Sequence, residues 1–215
     1  MAHINMDKLH IVDHPLVQHK LTLMRCKDTA TNTFRALLRE IGMLMGYELT
    51  RDLPLCNVDI DTPVSHTQAP MIDGRKLVVV PILRAGLGMA EGLLDLMPSA
   101  KVGHIGMYRD ETTHQPIFYY YKMPEGKDRL VILTDPMLAT GGSACDAIHR
   151  LRSEGYQNIR MMCLVAAPEG VRRLQTEYPD IDVYTASLDE KLNDDCYIVP
   201  GLGDAGDRIF GTLQK

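Results

Sequence analysis

The sequence holds no apolar run approaching 18 residues, which argues against a membrane-spanning helix. Its first ten residues, MAHINMDKLH, contain no apolar core of a secretory signal. There is no C-x-x-C pair. The cysteines, Cys26, Cys56, Cys145, Cys163 and Cys196, are scattered and odd in number, which speaks against a disulfide framework or a zinc site and for the reducing cytoplasm. His10 and His14 have the spacing of two ligands on one helix face, but Pro15 follows at once, so a surface role is preferred over a metal site. Positive charge is in deficit: Lys and Arg number 23 against 28 Asp and Glu, a net charge of −5. No general basic surface therefore attracts nucleic acid, and any anion must be held by local groups. Repeats and low-complexity linkers are missing as well. The 215 residues, 45% hydrophobic and 24% charged, suffice for one domain, 1–215, with a sizeable buried core.

What is present is an alternating rhythm. Phe34, Leu37, Leu38, Ile41, Leu44 and Met45 recur at helical spacing, predicting a long helix over roughly 29–49 whose wide, methionine-containing apolar stripe is a candidate dimer face. Pro54, Pro63 and Pro70 break the next region into edge strands or a loop-rich lobe. The run 77–83 (LVVVPIL) reads as a buried parallel strand. It is followed by a helix through Met89 and Leu93, strands at 102–107 and 117–123, a strand at 130–134, a helix through Ala144 and Ile148, a strand at 159–165, a helix with Val171 and Leu174, and a strand at 181–186. Strands alternating with helices predict an α/β fold with a central, mostly parallel sheet. Ligands of such sheets sit at the carboxyl ends of the strands. The polar hairpin between 104 and 123 is expected to project as a small arm and, being a long polar connection, to serve as a lid with Arg109 at its rim.

The unusual residues fall at the expected carboxyl edge. The strand ending at Thr134 delivers Asp135, and Pro136 is expected to stop it. Ala139-Thr140-Gly141-Gly142-Ser143 then turns into a helix. Glycines let backbone N–H groups approach a ligand, the helix start adds orphan donors, and Thr140 and Ser143 add hydroxyls. The Walker lysine is absent, so a nucleoside triphosphatase is a poor reading, but a phosphate monoester can be held by neutral donors alone. A βα turn with a simple hydroxyl cap is the alternative. Asp135 should face the same cavity, where a carboxylate beside a phosphate needs hydroxyls or a cation; a ribose 5-phosphate meets that need, and a helix-capping Asp is the alternative. Arg84 is the first charged group after the 77–83 run, and its fork suits phosphate or diphosphate oxygens or, as plainly, caps a turn.

Near the C-terminus, Gly201-x-Gly203-x-x-Gly206 matches a dinucleotide fingerprint, yet nine residues follow Gly206, too few for a βαβ unit. The exposed peptide groups of this stretch can instead read the edge of a small planar base. Tyr119–Tyr121 reads as packing rather than base stacking.

The segment LTDPMLATGGSA resembles the phosphoribosyl-diphosphate motif of the type I phosphoribosyltransferases. Most members carry two adjacent acidic residues at the strand end; Asp135 followed by Pro136 departs from that and is similar to the uracil branch. VDHPLVQHKLTLMR, PILRAGLGM, HIGMYRDE and PGLGDAGDRIFGT resemble the same branch, in order, over nearly the whole chain. The resemblance implies transfer of phosphoribose from 5-phosphoribosyl 1-diphosphate to N1 of uracil, giving UMP and diphosphate in pyrimidine salvage. It implies catalytic roles for Arg84, Arg109, Asp135 and Asp204. Donor contacts are implied for Arg84, Arg109, Asp135, Pro136, Met137, Leu138, Ala139, Thr140, Gly141, Gly142, Ser143 and Asp204. Uracil contacts are implied for Ile198, Gly203, Asp204 and Ala205. Mg²⁺ is the implied cofactor, held largely by substrate oxygens and waters, with no metal-ligand cluster in the protein. A homo-oligomer, dimer or tetramer, is implied, and GTP is admitted as an effector because some members respond to purine nucleotides. Two rivals are weighed. An RNA-binding regulator of the same fold would want a basic face, and a flavodoxin-like cofactor binder would want its phosphate turn after the first strand.

Overall fold

A computed structural model describes residues 3–74, 77–109 and 116–212. A 3-10 turn (Met6–Lys8) leads into β1 (Leu9–Ile11), α1 (Pro15–Arg25) and α2 (Thr31–Leu49). The ribbon β2 (Leu55–Asp61) and β3 (His66–Ile72) follows, then β4 (Val78–Leu83), α3 (Leu87–Leu96), β5 (Lys101–Val102), β6 (His104–Arg109) and β7 (Pro116–Lys122). The second half comprises β8 (Val131–Thr134), β9 (Met137–Leu138), α4 (Gly142–Ser153), β10 (Ile159–Ala166), α5 (Pro168–Glu177), β11 (Asp182–Leu188), β12 (Lys191–Leu192), β13 (Ile198–Val199) and α6 (Ala205–Phe210).

The main sheet runs β1-β11-β10-β8-β4-β6-β7, with β5 added beside β4 and β9 beside β10. All of its pairings are parallel except β6 with β7. Successive residues of each strand face opposite sides. Val79, Ile132, Met162 and Leu164 therefore pack with α1, α2, α3 and α6, while Val78, Val80, Val131, Leu133, Met161 and Cys163 pack with α4 and α5. Burial on both faces is why the central strands read as unbroken apolar runs. No helix among the described residues is long and apolar enough to cross a membrane.

Three features depart from the sequence expectation. The apolar stripe of α2 is not a free face: Phe34, Leu38, Ile41, Met45 and Leu49 are fully buried in this chain's own core. The strand expected at 102–107 divides at Gly103 into β5 and β6. That break explains how Pro81 is tolerated inside a central strand. Val79 accepts the Gly103 N–H (3.0 Å) on the β5/β6 side; Pro81, two residues on, faces the same side at the gap in the ladder, where no donor is needed. β8 ends at Thr134, ahead of Pro136, as expected, but pairing with β10 resumes beyond the gap, in the same register, as β9. Across the gap the Pro136 carbonyl takes N–H groups from both Leu164 (3.0 Å) and Val165 (3.1 Å). As expected of edge strands, β2–β3 forms a separate antiparallel ribbon, in which Pro70 is accommodated because only one edge is paired.

Candidate active site

Three loops meet at the carboxyl edge of the sheet. The first follows β4 and carries Arg84; the second is the segment after β8, through β9 to the turn into α4; the third runs from Cys196 to Gly206. Between them lies a cleft of about 330 Å³ lined by Arg84, Ala85, Asp135, Met137, Ala139, Cys196, Tyr197, Ile198, Gly203, Asp204, Ala205 and Gly206.

The first two loops are tied together. Thr134 Oγ1, fully buried, donates to the Gly86 carbonyl at 3.1 Å. A Cβ on Gly86 would stand 2.3 Å from the Thr134 carbonyl, so only glycine permits this approach. Arg84 is exposed, and its guanidinium lies 5.0 Å from the centroid of Phe210 in α6. The turn into α4 is set by Gly141, at φ 78°, in the left-handed region. Its absent Cβ would also meet the Gly170 carbonyl at 2.8 Å. The turn is thus locked against the start of α5, and the Gly142 N–H donates to Thr140 Oγ1 at 3.5 Å.

Asp135 sits in the gap between β8 and β9. Burial pushes its carboxyl up to about 7; the Met137 N–H, donating to Oδ1 at 3.2 Å, opposes this, and the Asp204 carboxylate reinforces it. Asp204 is exposed, and its Oδ1 caps α6 by accepting the Asp207 N–H at 2.8 Å.

The third loop is held from beneath by residues that no local pattern signalled. Asp189, 6% exposed, receives both terminal nitrogens of Arg25 (2.7 and 2.6 Å), the Ser187 hydroxyl (2.7 Å) and the Gly201 N–H (2.9 Å). Burial alone would raise its pKa; these donors outweigh burial and hold it below the usual carboxylate range. Arg208 stacks 4.5 Å over Phe34 and donates to the carbonyls of Leu202 (2.9 Å) and Cys26 (2.6 Å). The partners lie far apart in sequence, so no spacing rule could have found them.

Of the residues singled out from sequence, Arg84, Asp135, Met137, Ala139, Ile198, Gly203, Asp204 and Ala205 share the cleft. Pro136 and Leu138 are buried, and their carbonyls serve β10 and the residue after it. Thr140–Ser143 form the adjoining turn at the start of α4 rather than the lining. Arg109 is the last residue of β6, and its side chain, like the rest of the expected lid at 110–115, lies outside the described residues. Of the tyrosines expected to pack, Tyr121 is half-buried under Arg150 (4.7 Å), whereas Tyr119 and Tyr120 are exposed, Tyr119 lying beside the exposed Tyr108 (6.3 Å).

A mostly parallel sheet whose carboxyl edge gathers an arginine loop, an acidic strand end leading to a glycine turn, and a glycine-rich closing loop defines a type I phosphoribosyltransferase. Residues 11–212 match the family model for uracil phosphoribosyltransferase. A uracil phosphoribosyltransferase of Exiguobacterium sibiricum is 61% identical over 208 residues, covering 96% of this chain and all of the relative. One of Streptococcus salivarius is 60% identical over the same spans. Among solved structures, the AQ2163 protein of Aquifex aeolicus superposes with a TM-score of 0.90 at 36% identity, covering 96% of this chain and all of that one. The chain belongs to the uracil phosphoribosyltransferase family.

Proposed function

We propose that the chain transfers the 5-phosphoribosyl group of 5-phosphoribosyl 1-diphosphate to N1 of uracil, releasing UMP and diphosphate. The observation that carries this reading is the single cleft into which Arg84, Asp135, Asp204 and the peptide groups around Gly203 all open. The names borne by the relatives support the enzyme over an RNA-binding regulator.

The turn at 140–143 takes the 5-phosphate on the N–H groups of α4 and the hydroxyls of Thr140 and Ser143. Asp135 accepts the ribose hydroxyls. These two contacts fix C1 opposite the base. The base lies on the third loop, where N–H groups from 203–205 donate to uracil oxygens and a backbone carbonyl accepts from N3–H. Cytosine would bring its amino donor against a peptide donor and leave buried groups unpaired. The C1–O bond to diphosphate breaks as N1–C1 forms, N1 losing its proton; Asp204, directly or through a water, receives it. Arg84, with Arg109 from the arm, neutralises the departing diphosphate.

No group of three or more His, Cys, Asp or Glu among the described residues is arranged to hold a metal by itself. Asp135 and Asp204, facing one cleft, are an oxygen donor set that fits Mg²⁺ retaining waters and substrate oxygens. When bound, the ion supplies further neutralisation of the leaving group. Free thiols at all five cysteines support a cytoplasmic setting. Assembly as a dimer or tetramer belongs to this reading and would use a surface other than the α2 stripe; GTP as an effector is carried with it.

Incubation with donor, Mg²⁺ and one nucleobase at a time is expected to yield UMP from uracil and at least about 100-fold less nucleotide from cytosine. Nucleotide from another base and none from uracil would overturn the assignment. Phe210→Leu removes the ring beneath Arg84. An exposed cation–π contact contributes about 0.5–1 kcal/mol, so the KM for the donor should rise about two- to fivefold with that for uracil unchanged; steady-state kinetics with each substrate varied checks it.

A further inference from the structure

We infer that Arg25 and Asp189 act together as a positioning device for the loop that reads the base, which makes them determinants of uracil selection without touching substrate. The inference rests on the reading of residues 198–205 as the base contacts.

Asp189 is the first residue beyond β11, at the carboxyl edge of the sheet, and its side chain is 2% exposed. Arg25 ends α1, in a layer outside the sheet. Between them they take both polar groups of one residue in the loop. The Gly201 N–H donates to Asp189 Oδ2 at 2.9 Å, and the Gly201 carbonyl accepts from Arg25 Nη1 at 2.7 Å. Gly201 stands between Ile198 and Gly203, and a Cβ on it would lie 2.1 Å from the Ile198 carbonyl, so the loop folds back on itself at the clamped residue. Fixing Gly201 from a strand end and a helix end sets where the peptide groups on either side point.

The carboxylate is fully occupied. Oδ1 accepts Arg25 Nη2 (2.6 Å) and Ser187 Oγ (2.7 Å); Oδ2 accepts Arg25 Nη1 (2.7 Å) and the Gly201 N–H. Four donors fill the roughly four lone-pair sites of a carboxylate, so Asp189 acts on the loop and not on a ligand. A buried ion pair adds little net stability over an apolar replacement, whereas losing one partner leaves the other uncompensated. Its use here is geometric.

Asp189→Asn keeps the shape and presents an amide donor to Arg25. The expected result is a KM for uracil raised about tenfold or more, with donor affinity within about twofold of wild type, because only the base-side peptide groups are displaced. Amide hydrogen exchange should quicken across 198–205 and stay unchanged in β10. Arg25→Lys should recover part of the loss seen in Arg25→Ala, and Arg25→Ala/Asp189→Asn should be no worse than the poorer single variant. An unchanged KM for uracil, or a parallel loss of donor affinity with faster exchange through β10, would overturn the proposal. Should Asp189→Asn fail to fold, Arg25→Lys carries the same kinetic and exchange readouts. A wild-type protein that makes no UMP sinks the assignment of activity instead, and exchange at 198–205 in the variants then decides separately whether the pair holds the loop.

Discussion

Asp135→Asn should lower kcat/KM for the ribosyl donor by about two to three orders of magnitude while making the ligand-free protein more stable above neutral pH. Both effects come from one carboxylate in the gap between β8 and β9. Two ribose hydroxyls donating to a charged acceptor are each a charge-assisted hydrogen bond; an amide is uncharged and offers one oxygen in place of two, its NH₂ turned as a donor toward the second hydroxyl. In the ligand-free site the same charge is unwelcome, since burial raises the carboxyl from 3.8 to about 7 and Asp204 adds to the shift. A group whose pKa is raised by folding stabilises most below its unfolded pKa, and that contribution disappears as pH rises through the folded value. The wild type should therefore lose stability between about pH 4 and 8, by at most ~4 kcal/mol from this group. Asp135→Asn should flatten that slope, with a Tm gain at pH 8.5 that vanishes at pH 4. Donor affinity of the wild type should rise through pH 7 as the carboxylate ionises. The donor's own phosphate titrates near pH ~6, and that limb should persist in the variant. Donor affinity unaltered by the substitution would remove Asp135 from the ribose, whatever the melting curves show.

Under the proposed ribose contact, burial that favours the neutral acid works against the charge that binding wants, a conflict between local stability and binding. The sequence already pointed at Asp135, because an aliphatic run that ends in an acid and a glycine turn suits a ribose phosphate, although a capped βα turn would read the same way. The central strands β4, β8 and β10 were legible for a related reason: being covered on both faces, they can hold almost nothing but aliphatic residues. The long helix α2 was legible by its period, but whether its stripe met the sheet or a second molecule was not, since periodicity reports a buried face and not what buries it. Short elements stabilised from elsewhere were hidden. β1 exists through pairing with β11, and β9 through pairing with β10. The Arg25–Asp189 clamp and the stacking of Arg84 on Phe210 join residues more than 100 positions apart. Each partner alone resembles any surface charge or terminal aromatic, and only the fold makes them neighbours.

The glycine turn permits a dissection of a different kind. Gly141→Ala should destabilise the protein by about 2–4 kcal/mol and raise the KM for the donor at least about tenfold, because two penalties fall on one atom. A left-handed φ of 78° costs an L-residue about 1–2 kcal/mol. The added methyl also meets the Gly170 carbonyl at 2.8 Å, so the turn and α5 must part. Gly170→Ala separates the two. Its Cβ would stand 2.4 Å from the Ala139 carbonyl, pressing on the same contact from the opposite side, and its own φ is not in the left-handed region. It should reproduce the packing share of the stability loss, read as a shift of the urea midpoint, and leave out the backbone share. If close packing of α5 holds the 140–143 turn in its phosphate-ready form, Gly170→Ala must also weaken donor binding although it lies outside the cleft. A Gly170→Ala protein of reduced stability and unchanged donor KM would show that the turn keeps its shape without α5, and the phosphate site would then owe its geometry to Gly141 alone.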